Sequence, residues 1–293
     1  MNKDFEPISL AGREQYLAAY AACPQHPSDT SFANLWGWAE EYGLEWAWGS
    51  QCVWIRQTKP ALRYWAPVGP WDGLPWNECP SLAQGMEVIR VPETLALLWQ
   101  EHLGDRLVLT EDRDNWDYLY DVTELIELRG NVHHKKKNHL NGFKKAYQYE
   151  YRSMTPDCVE EALALQAAWR GWHDTPDSPA LIAENNAIER VLTRWDVLPG
   201  LMGGALHVGG AMVAFTVAEP LDKETLVIHF EKGQAGMRGV YQAINQMFLA
   251  HDANGYKVVN REQDLGDEGL RKAKLSYHPI GFLKKYHARI LPR

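Results

Sequence analysis

Cysteine is sparse in this chain and badly spaced for chemistry: Cys23, Cys52, Cys79 and Cys158 form no CxxC pair. That spacing speaks against a zinc knuckle and a dense disulfide framework, and leaves reduced, mostly buried thiols as the expectation. The amino-terminal MNKDFEPISL lacks the basic start and apolar run of a secretory signal, so a cytoplasmic protein is expected. Positive charge is in deficit as well. A net charge of -8 opposes broad, non-specific binding to a polyanion. Leu198 to Ala218 carry no Lys, Arg, Asp or Glu, but they hold Pro199 and the pairs Gly203-Gly204 and Gly209-Gly210. Two core strands joined as a hairpin are therefore expected there, not a membrane span.

What is present is an ordinary globular composition, 45% hydrophobic and 23% charged, long enough at 293 residues for two units. Thirteen Trp fit cores with polar rims. One segment departs from the acidic balance: Arg129 to Lys145 holds six Lys or Arg, three His and no acid. His133, His134 and His139 lack partners at metal-ligand spacing, so no metal is expected.

Along the chain, Ser28, Asp29 and Thr30 offer N-caps to a helix with Phe32, Leu35, Trp36, Ala39 and Tyr42 on its apolar face and Gly43 at its end. EWAWG and CVWIRQT alternate around Gly49-Ser50 as a hairpin, followed by strands in LRYWAP, MEVIRVP and RLVLTE and a helix over 93–102. Residues 131–149 read as a basic helix. Thr155-Pro156-Asp157 starts a helix from Val159, and a second covers 181–195. A hairpin over 205–218, a strand over 225–232, a helix from Val240, a strand over 256–261, a helix over 267–274 and a strand over 282–290 complete the order. Because the second half repeats the element order of the first, the expectation is an α/β (α+β) chain of two similar units, 1–128 and 151–293, joined by a basic connecting helix at 129–150.

The stretch LVIHFEKGQAGMRGVY, Leu226 to Tyr241, has the strand, glycine loop, helix order of a phosphate site. Gly236 and Gly239 allow close approach, the helix start offers N–H donors, and Arg238 adds charge. An ordinary strand-to-helix turn is the competing account. Alternation puts His229 and Glu231 on one face of their strand, and Asn260 and Glu262 on one face of theirs. The bland account of each carboxylate is an ion pair with Lys232, Arg261 or Lys257 at a strand end. NREQDLG concentrates Asn260, Arg261, Glu262 and Asp264 in a way that is costly if buried without use. In the basic segment, Lys135, Lys136, Lys137 and Asn138 are candidates for tRNA phosphates, an acidic lipid head group or a nucleotide, against a solvated helix face.

The second half resembles a Gcn5-related N-acetyltransferase (GNAT) fold, with GQAGMRGVY at the pyrophosphate loop, although its glycines fall off the usual Gln/Arg-x-x-Gly-x-Gly/Ala spacing. Four stretches carry a wider resemblance: SDTSFANLWGW (28–38), DNWDYLYDVTELIELRGNVHHKKKNHLNGF (114–143), HFEKGQAGMRGVYQAIN (229–245) and NREQDLGDEGLRKAKLSYHP (260–279). On these, the chain resembles a bacterial family of tandem acetyltransferase-like proteins related to the C-terminal domain of phosphatidylglycerol lysyltransferases and to Fem-type transferases that use aminoacyl-tRNA. The resemblance implies two GNAT-like domains, each a mixed, mostly antiparallel sheet flanked by helices, the first degenerate and the second holding the active site.

It also implies acyl transfer, aminoacyl-tRNA or acyl-CoA serving as co-substrate with no tightly bound cofactor, to an amine or hydroxyl acceptor that is a small molecule, a peptide or a lipid head group. Glu231, Glu262 and Tyr277 become the catalytic candidates, with Tyr277 protonating the leaving group. Lys232, Gln234, Gly236, Arg238, Gly239 and Lys274 would face the donor, while Lys135, Lys136, Asn138, His229, Tyr241, Asn260, Arg261 and Asp264 would bind substrate. An acyl-CoA-dependent N-acyltransferase and a non-catalytic anion-binding protein are the alternatives.

Overall fold

The computed structural model describes residues 4–80, 82, 85–172, 178–198 and 200–292. Residues 1–3 and Pro199, which entered the readings above, lie outside the described residues. In chain order the elements begin with β1 (Glu6–Pro7), α1 (Arg13–Ala21), α2 (Phe32–Tyr42), β2 (Leu44–Trp48), β3 (Val53–Gln57) and β4 (Arg63–Trp65). They continue with β5 (Glu87–Pro92), α3 (Glu93–Leu103), β6 (Leu107–Glu111), β7 (Asp117–Asp121), α4 (Val122–Glu127), α5 (His134–Ala146) and β8 (Tyr149–Ser153). Then come α6 (Val159–Gly171), α7 (Pro179–Leu192), β9 (Met202–Val208), β10 (Ala211–Pro220), β11 (Thr225–Gly233), α8 (Val240–Asp252), β12 (Val258–Asn260), α9 (Glu268–Leu275), β13 (Gly281–Leu283) and β14 (Lys285–Ile290).

Two units result. The first comprises Met1–Asp117, Gln263–Asp267 and Phe282–Arg293, the second Tyr118–Glu262 and Glu268–Gly281. There are two seven-stranded sheets, ordered β1-β2-β3-β4-β5-β14-β6 and β13-β7-β12-β11-β10-β9-β8. Both are mixed: β4 runs parallel to β5, and β11 to β12, whereas β2–β3, β3–β4, β9–β10 and β10–β11 are antiparallel. The expected α/β class with two mostly antiparallel sheets is what the chain adopts. The basic helix α5 is part of the second unit.

Several elements differ from the sequence reading. The cap of α2 is Ser31, whose hydroxyl accepts from the Asn34 N–H at 3.3 Å, while Ser28–Thr30 form a 3₁₀ turn of their own. Ser28 and Asp29 are drawn instead into buried hydrogen bonds and ion pairs described below. The basic helix stops at Ala146, not 149, because Tyr147 turns extended and YEYRS alternates as edge strand β8. The single strand expected over 282–290 is two strands, β13 and β14, which belong to different sheets. Strand β7 was not anticipated either. Its run DYLYD alternates two tyrosines with Asp117, Leu119 and Asp121, and Tyr118 and Tyr120 are both fully buried.

Expected turns hold where glycine chemistry sets them. Gly209 and Gly210 take φ of 60° and 83°, the left-handed pair that a two-residue hairpin between β9 and β10 needs. On the second sheet, Leu206, Val213 and Ala214 meet Val240, Ala243, Ile244 and Met247 of α8 together with Leu140 and Phe143 of α5. That apolar cluster fixes α8 against the sheet, and α8 in turn supplies polar groups to the site.

Candidate active site

Parallel pairing between β11 and β12 runs through Thr225–Val258, Leu226–Val259 and Val227–Asn260 and stops there, although β11 continues to Gly233. Beyond the last pair the two chains are linked by side chains. The register of β10 on β11 also slips, from Val217–Phe230 to Ala218–Ile228, so that His229 is left unpaired in a bulge. Bulges re-aim side chains, and this one interrupts strict alternation at the residue concerned.

His229 donates from Nδ1 to Glu262 Oε1 at 2.8 Å and from Nε2 to Glu219 Oε1 at 2.9 Å. Its side chain is 1% exposed, Glu219 7% and Glu262 19%, so Glu262 is the end of the chain that solvent and ligand can reach. Burial alone would depress the imidazole pKa, but the two carboxylate hydrogen bonds outweigh it and raise it to about 9. At neutral pH His229 is therefore an imidazolium. Glu262 sits past the end of β12 with φ 55°, its N–H donating to Asn260 Oδ1 at 2.8 Å and its carbonyl accepting from the Tyr118 N–H at 3.1 Å. A non-glycine residue in that backbone region is uncommon and is held by such contacts.

Glu231, one of the two candidate bases, is bound twice: Arg261 Nη2 donates to Oε1 at 3.2 Å and Asn245 Nδ2 of α8 to Oε2 at 3.0 Å. The Arg261 guanidinium lies 4.9 Å over the Tyr277 ring and 5.8 Å over Tyr120. Lys136 Nζ stands 3.9 Å over Tyr277 on the same terms, and its pKa is lowered by burial and by Arg261. Burial pushes the Tyr277 phenol up, and Gln242 Nε2 donates to its oxygen at 3.2 Å. Tyr277 thus stays protonated at neutral pH, with cations on its ring.

The two glycines of the loop, Gly236 and Gly239, have different surroundings. Gly239, φ 87°, begins α8, and a Cβ on it would collide with the main-chain carbonyl of His139 in α5. Its missing side chain serves the packing of two helices. Gly236, φ 79°, faces open space. Lys232 Nζ is engaged by Glu184 at 2.8 Å and stacks 3.5 Å over Trp169; Lys274 Nζ donates to the carbonyl of Arg261. Arg238 is exposed and meets His139 Nδ1 at 3.4 Å, while the Gln234 N–H bonds the Val213 carbonyl at 2.8 Å. Tyr241 accepts from Trp169 Nε1 at 2.9 Å.

Elsewhere, Lys135 and Asn138 are solvent-facing on α5, where Asn138 lies 3.4 Å from His134. Asp264 belongs to the first unit, where it is fully buried and paired with Arg113 at 3.1 Å. Glu219, Gln242 and Asn245 complete the site but were not anticipated. Glu219 ends a long apolar run, and the two amides sit on a helix whose polar face reads as solvated.

In the first unit the corresponding place is closed. Pairing of β4 with β5 ends at Trp65–Ile89, and the next residue, Arg90, takes φ 57° and pairs with Asp29. Lys285 joins Asp29 and Asp117, the latter at 2.6 Å, and Asp117 also accepts from Ser28 Oγ at 2.8 Å and Gln263 Nε2 at 2.6 Å. Two cations meet two anions, with both carboxylates buried.

A family model described as phosphatidylglycerol lysyltransferase, C-terminal, matches residues 20–289. The fold is shared with a conserved protein of unknown function from Bacteroides thetaiotaomicron VPI-5482, 34% identical, with a TM-score of 0.90 over 98% of this chain and 99% of that one. The L-PGS of Bacillus licheniformis superposes with a TM-score of 0.66 at 13% identity over 98% of this chain and 93% of its own. FemX does so at 0.60 and 9% identity, over 98% and 97%. An uncharacterized protein of Mycoplasmoides gallisepticum is 24% identical over 197 residues, 67% of this chain; the match spans 63% of that protein's length.

Proposed function

The chain belongs to the family of phosphatidylglycerol lysyltransferase C-terminal domains, and from that premise we propose that it is an acyltransferase moving an aminoacyl group from aminoacyl-tRNA to an amine or hydroxyl acceptor. The observation that carries this reading is the opening between β11 and β12, bridged by ionised side chains in place of backbone pairing. Glu262, backed by the His229 imidazolium, takes the proton from the acceptor N–H or O–H as it attacks the ester carbonyl. The new C–N or C–O bond forms, the ester bond to the terminal ribose breaks, and the ribose oxygen takes the phenolic proton of Tyr277. Glu231 holds Arg261, which together with Lys136 places positive charge beside Tyr277, where negative charge develops. Lys135, Lys137, Lys144 and Lys145 of α5 supply phosphate contacts for tRNA.

Three groups expected to meet a coenzyme A pyrophosphate are engaged elsewhere: Lys232 by Glu184, Lys274 by the Arg261 carbonyl, and Gly239 by α5. This favours the tRNA donor over acyl-CoA. The test offers tRNA charged with radiolabelled amino acids, in separate reactions, with phosphatidylglycerol vesicles, a peptide and small amines, and parallel reactions use labelled acetyl-coenzyme A. Label leaving tRNA for an acceptor is the expected outcome. Transfer from acetyl-coenzyme A with none from tRNA would overturn the choice of donor.

A further inference from the structure

We propose that Glu219 is a positioning residue that acts through His229 to keep the Glu262 carboxylate aimed for proton transfer, which rests on Glu262 being the base of the proposed reaction. Glu219 lies near the end of β10, opposite Val227 of β11, which is itself the last residue paired with β12 through Asn260. The three strands therefore line up Glu219, Val227 and Asn260 at the point where the sheet opens. From that row, Glu219 reaches the bulged His229, and His229 reaches Glu262 two residues past Asn260.

Burying a carboxylate is costly, and an apolar residue of similar volume would serve the core as well. What Glu219 adds is a second anion on the imidazole. With both ring nitrogens donating to carboxylates, Nδ1 always presents a proton to Glu262 and holds that carboxylate in one direction. The charged groups facing His229 are Glu219 from β10 and Glu262 after β12; on its own strand, Glu231 is engaged by Arg261 and Asn245. In the reaction the acceptor's proton goes to Glu262, while the two imidazolium protons stay where they are.

With Glu219 changed to Gln, one anion is gone and the imidazole can lose its proton. Nδ1 can then turn acceptor, and the hydrogen bond that aims Glu262 is lost. The experiment follows the His229 ring signals of the full-length chain by NMR against pH, and the pH dependence of transfer, in wild type and Glu219→Gln. Expected are a wild-type midpoint near 9 and a fall of at least about one pH unit in the variant. The alkaline limb of kcat, set by loss of the imidazolium, should move down by a similar amount, and kcat at pH ~8.5 should drop about threefold or more with KM for the acceptor little changed.

A wild-type midpoint at the ordinary 6.5 overturns the proposal without recourse to any variant. So does a variant that transfers with an unmoved alkaline limb. A wild type whose His229 titrates near 9 but which transfers nothing from any donor instead strikes at the proposed function.

Discussion

At the scale of single residues, His229 contributes to folding as well as to the site. Its pKa is raised from 6.5 to about 9 in the folded chain, so its stabilisation is complete below pH 6.5 and is lost as pH rises through 9. The difference corresponds to about 3 kcal/mol. Melting temperature should therefore fall between pH 7 and pH 9.5, and by less in Glu219→Gln. Equal slopes in the two proteins would contradict the assignment. The first unit offers a second case. Lys285→Met removes the buried cation that Asp29 and Asp117 share, and should cost about 3–5 kcal/mol in urea unfolding. Lys257→Met, which removes an exposed partner of Glu224, should cost less than about 1 kcal/mol. Similar losses for the two would show that burial is not what makes the Lys285 network matter.

At the scale of elements, the loop from β11 to α8 separates packing from ligand binding. Gly239→Ala meets the His139 carbonyl and a positive φ together, whereas Gly236→Ala meets only the positive φ. The first should destabilise by more than about 2 kcal/mol and the second by about 1 kcal/mol, read by denaturation. Equal costs would remove α5 as the reason for Gly239. Here the sequence was informative about the loop's existence but not about the packing role of Gly239, whose partner is a helix backbone 100 residues away. EWAWG, CVWIRQT and the Gly209-Gly210 turn could be read locally, since alternation and turn glycines are local signals. The division of the last strand at Lys284 and the β10 bulge at His229 could not, because both are set by pairing with distant strands. Asn260, Arg261, Glu262 and Asp264 were visible as a polar concentration and Tyr277 through the family resemblance, whereas Glu219 was hidden by the apolar run that it ends.

At the scale of the whole molecule, the same strand order is used twice with different contents. One unit closes its parallel-pair opening with a balanced set of buried charges, Arg90 and Lys285 against Asp29 and Asp117. The other leaves Glu262 partly exposed at its opening, beside an aromatic and cationic surround. Among the described residues no helix is long and apolar enough to cross a membrane. The unmatched positive charge of α5 stands out in an acidic chain, which makes donor binding by the second unit strongly salt-dependent on this account. The measurement that reaches the central claim most directly is single-turnover transfer of a labelled aminoacyl group from tRNA, comparing wild type with Glu262→Gln at equal tRNA occupancy. The account predicts that the wild type moves the label and that the variant binds tRNA equally but transfers about 10²–10⁴-fold more slowly. A variant that transfers at the wild-type rate would contradict it.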